Sequence, residues 1–178
     1  SSIQDKSPAM ALPHGCSTCC FAPLQTVMNK RSLGRSMRIT GIVSSGLGRA
    51  HIFMSQQHYQ DQFKTIIGKG AWPGTLNVKV EGDSLVQYKK LRVSAGLEEG
   101  DSSSVKSHRV KGFDRDGVSF GGATAFLATI EAEDASHDCA VLIPDLTRHE
   151  DVVEVIAGVF LRESCSLVDG DTVSIVLE

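Results

Sequence analysis

The sequence predicts a mainly β protein, a barrel or a sandwich, on three observations. Short runs rich in Val, Ile, Leu and Thr recur between clusters of Gly, Asp and Ser. One of them, Thr75 to Val80, alternates apolar and polar residues throughout. No regular βαβ succession appears, which argues against a doubly wound sheet. At 178 residues the chain is long enough for one domain whose core needs no disulfide or metal staple. A net charge of −3 with 41% hydrophobic residues is an ordinary globular balance, and it disfavours binding that relies on general attraction to phosphate backbones. No apolar run approaches the ~20 residues of a membrane span and no charged-then-apolar leader opens the sequence. A cytoplasmic location is therefore expected, with no membrane and no nucleic acid among the partners.

Residues 1–36 hold Pro8, Pro13, Pro23, a Ser-rich start and three clustered cysteines, with no period of 2 or 3.6. They are expected to be a poorly ordered extension, a gene-fragment or start-site feature or a lineage-specific tail, dispensable for activity. The folded domain is expected over 37–178. Met37, Ile39, Ile42 and Val43 give its first strand, which Ser44-Ser45-Gly46-Leu47-Gly48 breaks. Ala50 to Met54 reads as extended, and Ser55 stands where an N-cap would be, ahead of Tyr59, Phe63, Ile66 and Ile67 on one helical face. Gly68 is placed to end that helix in the left-handed conformation, and Pro73-Gly74 turns the chain into the alternating strand. Leu76, Val78 and Val80 then face one way, and Thr75, Asn77 and Lys79 the other. Residues 81–109 are expected to be mobile, with one strand candidate around Leu91 to Val93. Asp114-Arg115-Asp116-Gly117 signals a hairpin between Val110–Phe113 and Val118–Phe120. Further strands are expected at Thr124–Ile130, Cys139–Ile143, Val152–Ile156 and Thr172–Leu177. Leu161 to Ser166 suits a short helix, and Asp169-Gly170-Asp171 turns into the last strand.

Several groups of residues suggest chemistry. Gly41-Ile42-Val43-Ser44-Ser45-Gly46 has the glycine interval of a phosphate-binding loop, but Leu47-Gly48 replaces the Lys-Ser/Thr pair and the dinucleotide fingerprint lacks its third glycine. What remains is either a plain tight turn or a bend that brings backbone N–H groups to an anion. Thr75 and Asn77 are two neutral oxygen donors on one strand face, either a solvated edge or a magnesium site of the kind that substrate phosphates complete. Glu154, alone among Val152, Val153, Val155 and Ile156, must be paired, hydrogen-bonded or solvated. His149 reads as a loop residue, and Glu150 and Asp151 as surface charges. His14, Cys16, Cys19 and Cys20 are too compact for one segment to wrap tetrahedral zinc easily. Cys139 and Cys165 read as small core residues.

The order of the motifs is more specific than any one of them. It runs Gly46-Leu47-Gly48-Arg49-Ala50, Pro73-Gly74-Thr75-Leu76-Asn77-Val78-Lys79, Phe120-Gly121-Gly122, Ile143-Pro144-x-x-Thr147 and Glu154-Val155-Ile156-Ala157. Leu161-Arg162-Glu163 and Leu167-x-Asp169-Gly170-Asp171 close it. This succession, over about residues 37–178, resembles the archaeal-type CTP-dependent riboflavin kinases. The resemblance implies a small six-stranded cradle-loop (RIFT-type) β-barrel with one or two short helices, related to AbrB-like DNA-binding barrels. It implies transfer of the CTP γ-phosphoryl group to the riboflavin 5′-hydroxyl, giving FMN and CDP. It further implies that Leu47, Gly48, Arg49, Ala50, His51 and Ile52 lie along the nucleotide, with Val159, Phe160, Leu161 and Arg162 closing on it. Thr75 and Asn77 would hold Mg²⁺, and Thr147 and Glu154 would contact the flavin.

Glu154 is then the candidate catalytic group, orienting the ribityl hydroxyl or accepting its proton, and Lys79 a candidate for neutralising phosphate charge. Departures from the family pattern are Ala50 for a common glycine, His51 for a basic or bulky residue, and Gly158 for proline. A monomer is expected. The alternatives are a non-enzymatic AbrB-like barrel that binds nucleic acid, and a degenerate flavin- or nucleotide-binding module.

Overall fold

A computed structural model of the chain describes residues 36–178. His14, Cys16, Cys19 and Cys20, and all of the expected extension except Ser36, lie outside the described residues. Strand β1 (Met37–Ser44) buries Ile39 and Val43 and turns Arg38, Thr40 and Ile42 outward. It lies between β2 (Leu76–Lys79) and β9 (Thr172–Leu177). The sheet continues from β2 to β8 (Val152–Ile156), then to β7 (Ser136–Pro144) and β6 (Ala123–Glu131). The second half of β6 pairs back onto β9, so these six antiparallel strands close into a barrel, the mainly β architecture that the sequence and the resemblance predict. The first half of β6 carries a seventh strand outside the ring, β3 (Ser107–Val110).

Period-2 alternation divides each strand between two cores. The inward set, including Val78, Phe126, Ile130, Val141, Ile143, Val153 and Ile175, is sealed from solvent in the lumen. Each such side chain stabilises the fold by roughly 1.5–3 kcal/mol. Outward residues Ala125, Ala140, Leu142 and Ile156 pack in a second core beneath α1 (Ala50–Met54), α2 (Gln57–Ile67) and the hairpin β4 (Phe113–Arg115) to β5 (Val118–Phe120). The hairpin turns at Asp116 and Gly117, both in the left-handed region (φ 51° and 76°), as a two-residue primed turn requires. Its Phe113 and Phe120 stack at 4.6 Å, and Tyr59 meets Phe113 edge-on at 5.2 Å.

The structure corrects four expectations. Ala50–Met54 is a one-turn helix, not an extended run: Ala50 and Met54, four residues apart, both face the second core, while His51, Ile52 and Phe53 point to solvent. Ser55 closes α1 and caps nothing, and Gln56 precedes α2 without a side-chain capping bond. Gly68 does end α2 in the left-handed conformation. The expected mobile region with a strand near Leu91 contains α3 (Gly82–Ser94), whose Leu85, Tyr88 and Leu91 recur every third residue and face the lumen core. With α4 (Leu161–Ser164), the described residues hold four helices instead of one or two. Among the described residues, no helix is long and apolar enough to cross a membrane.

Candidate active site

Antiparallel register sets the site. On the outer face of the barrel, Asn77 of β2 lies opposite Ser44 of β1 on one side and Glu154 of β8 on the other. Neighbouring strands are ~4.8 Å apart, so these three positions form a row across about 10 Å. Inward partners Leu76, Val78 and Val80 are all buried, which fixes Thr75, Asn77 and Lys79 on the outer face as the alternation predicts. The Thr75 hydroxyl donates to Asn77 Oδ1 at 3.2 Å. Two oxygens at adjacent positions of an octahedral Mg²⁺ stand about 3 Å apart, so this neutral pair fits two neighbouring ligand positions of such an ion. Among the described residues, no cluster of three His, Cys, Asp or Glu side chains offers a competing metal site.

The loop that leaves β1 closes over this row. A Cβ on Gly46 would collide with the Asn77 carboxamide nitrogen, so the backbone passes the candidate metal ligand closer than any other residue type allows. Arg162 ties this loop to the opposite wall: its Nη2 donates to the Ser44 carbonyl at 3.2 Å and to Asp169 Oδ1 at 2.7 Å. The Ser45 hydroxyl donates to the other Asp169 oxygen. Ser45 first and Arg162 second hold the Asp169 carboxyl below the usual carboxylate range. Gly170, in the left-handed region at φ 97°, places Asp169 there, and its N–H donates to the Val43 carbonyl at 2.9 Å. A cleft of about 50 Å³ runs from Thr75 and Gly74 past Trp72 to Val159, Phe160, Leu161 and Arg162. Leu47, Gly48 and Arg49 stand exposed in the loop, with His51 and Ile52 exposed on α1.

Glu154 occupies the border between the site and the second core, with Leu142 of β7 on its far side. Burial pushes its carboxyl above the usual range, and the neighbouring His149 opposes that shift. Thr147 lies apart from the row, in the β7–β8 loop, and is joined to it through His149, whose N–H donates to the Thr147 hydroxyl at 3.3 Å. Arg92 of α3, only 5% exposed, holds this loop: Nη1 donates to the His149 carbonyl at 2.8 Å while Nε meets Glu98 at 2.6 Å. Tyr88, its pKa pushed up to about 12 chiefly by burial, keeps a neutral hydroxyl nearby. Beyond the loop, Arg109 grips both Asp145 oxygens. Leu146 lies over Gly121, whose carbonyl accepts from the Tyr59 hydroxyl at 2.5 Å.

Of the residues that the sequence singles out, Thr75, Asn77 and Glu154 thus come together on one face, with Val159 to Arg162 beside them. Ser45, Asp169, Trp72 and Arg92 join them without having been expected there. Asp169 carried a signal, its place in the closing Asp-Gly-Asp turn. Arg92 carried none, since its importance depends on the unrecognised helix. Cys139, inside the barrel, has its thiol pushed up to about 12 by burial and is chemically quiet, while Cys165 packs at the core margin.

The chain is similar to known proteins over the same span. The family model CTP-dep_RFKase, described as Domain of unknown function DUF120, matches residues 43–177. A riboflavin kinase of Thermoplasma acidophilum is 32% identical over 155 residues, 87% of this chain and 62% of the relative. One of Methanoculleus marisnigri is 34% identical over 142 residues, 79% and 57% respectively. Another, of Thermofilum pendens, is 34% identical over 152 residues, 83% and 63%. The chain spans about three fifths of the length of these relatives.

Proposed function

Because the chain belongs to the CTP-dependent riboflavin kinase family, we propose that it transfers the γ-phosphoryl group of CTP to the 5′-hydroxyl of riboflavin, yielding FMN and CDP. The observation that supports this most is the registered row Ser44, Asn77 and Glu154 under the glycine loop. Phosphoryl transfer asks a protein mainly to align donor and acceptor and to offset spread-out negative charge. The loop N–H groups around Gly46 to Gly48 would meet the phosphates. Arg162 adds a cation from the opposite wall, already tied to that loop. Thr75 and Asn77 would hold Mg²⁺, which neutralises phosphate charge when bound.

In the reaction the riboflavin hydroxyl oxygen bonds to the γ-phosphorus while the bond to the β–γ bridging oxygen breaks, releasing CDP. Glu154 accepts a hydrogen bond from that hydroxyl and takes its proton as it departs. A raised carboxyl pKa suits this role, since the group is a better base than an ordinary surface glutamate. Thr147, on the loop that Arg92 pins, would be a second contact to the flavin. CTP and riboflavin are cytoplasmic metabolites, and the proposed location is the cytoplasm.

The test is direct. Purified protein is incubated with riboflavin, Mg²⁺ and either CTP or ATP, and FMN is separated and quantified. FMN should form with CTP and depend on Mg²⁺. No FMN with any nucleotide would overturn the proposal.

A further inference from the structure

Trp72 is the sole tryptophan of the chain and was not among the expected site residues. Its indole stacks on the Phe160 ring with centroids 5.1 Å apart and planes 25° from parallel. Trp72 remains 46% exposed and Phe160 39%, so the pair buries one face of each ring and leaves the rest open. Large aromatic surface left in water is unfavourable, and this pair stands apart from the Tyr59, Phe113 and Phe120 cluster that packs on the second core.

The backbone that carries the indole is also anchored. On one side of Trp72, the Gln60 side chain brackets Ala71, accepting from its N–H and donating to its carbonyl, both at 3.0 Å. On the other, the Trp72 N–H donates to the Ala157 carbonyl at 2.7 Å. The N–H of Gly74 donates to the Trp72 carbonyl at 2.8 Å, turning the chain beneath the indole edge. An indole on an anchored backbone has less ordering entropy to lose when a ligand arrives, which favours a stacking platform. The pair lines the same cleft as Thr75, Leu161 and Arg162.

We propose that Trp72 and Phe160 form the wall on which the base of the nucleotide donor stacks. This inference rests on the kinase reading and deepens it. The base is the occupant, and not the flavin ring system, because the wall is continuous with Arg162, which is bonded to the glycine loop. Glu154 and Thr147, the proposed flavin contacts, are served instead by the His149 loop. Stacking favours any aromatic base, so this wall contributes affinity for the nucleotide without choosing among bases.

Two measurements on the full chain test it. In the first, the emission of the single tryptophan is followed while Mg²⁺ and CDP are added without flavin. Saturating CDP should change the emission and protect it from acrylamide quenching, and unchanged emission and quenching under CDP binding seen by calorimetry would overturn the proposal. In the second, Trp72→Ala is compared with Trp72→Phe. The alanine variant should raise the KM for CTP on the order of 10-fold, leave the KM for riboflavin within about twofold, and raise the KM of any other accepted nucleotide by the same factor, while phenylalanine restores most of the loss. A rise confined to the KM for riboflavin would assign the wall to the flavin and overturn the proposal. Should Trp72→Ala not fold, the tryptophan titration of the unaltered chain still decides. Failure of the kinase reading itself reads differently, as absence of FMN with every nucleotide.

Discussion

Two arginine–aspartate pairs frame the site, and they are built for different work. Arg162 and Asp169 meet at 2.7 Å, but each also reaches a third party on the glycine loop, the Ser44 carbonyl and the Ser45 hydroxyl. Arg109 and Asp145 instead spend both their ends on each other, riveting β3 to the end of β7 around Gly122, where a Cβ would collide with the Arg109 guanidinium. The first pair joins the walls proposed to bind the nucleotide, and its arginine both fastens them and lines the cleft. The second only fastens, and lies one step behind the loop that carries Leu146 and Thr147. On the proposed reading, charge serves the nucleotide side directly and the flavin side through backbone placement.

The strongest way to break this comparison is to remove what both pairs surround. Thr75→Ala with Asn77→Ala should lower Mg²⁺-dependent turnover by about 100-fold or more, since even residues behind metal ligands are worth 10- to 100-fold. FMN production across a Mg²⁺ series, with the melting curve as a control for folding, checks it.

Glu154→Gln comes next. It should reduce kcat by about 100-fold, the lower end of general acid–base contributions, because a loose transition state asks little of a base. Its effect on stability runs the other way. The folded-state pKa of Glu154 is raised, so the folded chain binds the proton more tightly than the unfolded chain, and stability falls as pH rises from the unfolded to the folded value. Above that interval the glutamine variant is free of the burdened charge, and it should melt higher than the parent at pH 8 but not at pH 4. The acid limb of the pH–rate profile should also vanish in the variant. A lower melting point at pH 8 would contradict a carboxylate that burial disfavours in its charged form.

The two arginines themselves sharpen the contrast. Arg162→Ala should raise the KM for CTP by about 10-fold, as loss of a charge-assisted contact predicts. Arg109→Ala should leave that constant alone and raise the KM for riboflavin by a few-fold at most, with a stability loss of about 1 kcal/mol or less for a half-exposed pair. Equal effects on both substrates from either change would erase the division of labour.

Asp169→Asn should give the smallest change, a rise of about twofold in the KM for CTP, because Asn keeps the Ser45 contact and loses only an exposed charge. The parent should lose this clamp as pH falls below the ordinary carboxylate range, since its carboxyl is held low. Steady-state kinetics in raised salt should narrow the gap between the two.

How much of this was legible in the sequence follows from where the determining forces act. β2 could be read because both its faces have strong, opposite preferences: Leu76, Val78 and Val80 fill the lumen, and the polar residues between them have nowhere else to go. α1 could not, because Ile52 and Phe53 look like strand residues and the helix is set by Ala50 and Met54 meeting a core formed by distant segments, Ala125, Ala140 and Leu142 among them. α3 hid for a related reason. Its buried stripe is only one residue wide per turn, and Lys89, Lys90 and the exposed Val86 obscure it. Within the site, Thr75, Asn77 and Glu154 were named by motif resemblance, but the alignment of Asn77 with Glu154 is a matter of register between β2 and β8, which no local pattern encodes. The Ser45–Asp169 contact, across 124 residues of sequence, is invisible for the same reason.

Strand β9 has a consequence of another kind. It is bonded on both sides, to β1 from Met37↔Leu177 onward and to β6 through Ala128↔Leu177, so it is the stave that closes the ring. During synthesis every other described element emerges first, and until Thr172 to Leu177 follow, β1 and the second half of β6 present open edges. Such edges are templates for unwanted pairing, and ring closure over so long a separation is slow. The barrel can therefore close only once all six of its strands have emerged, and until then those two edges are open to misassembly.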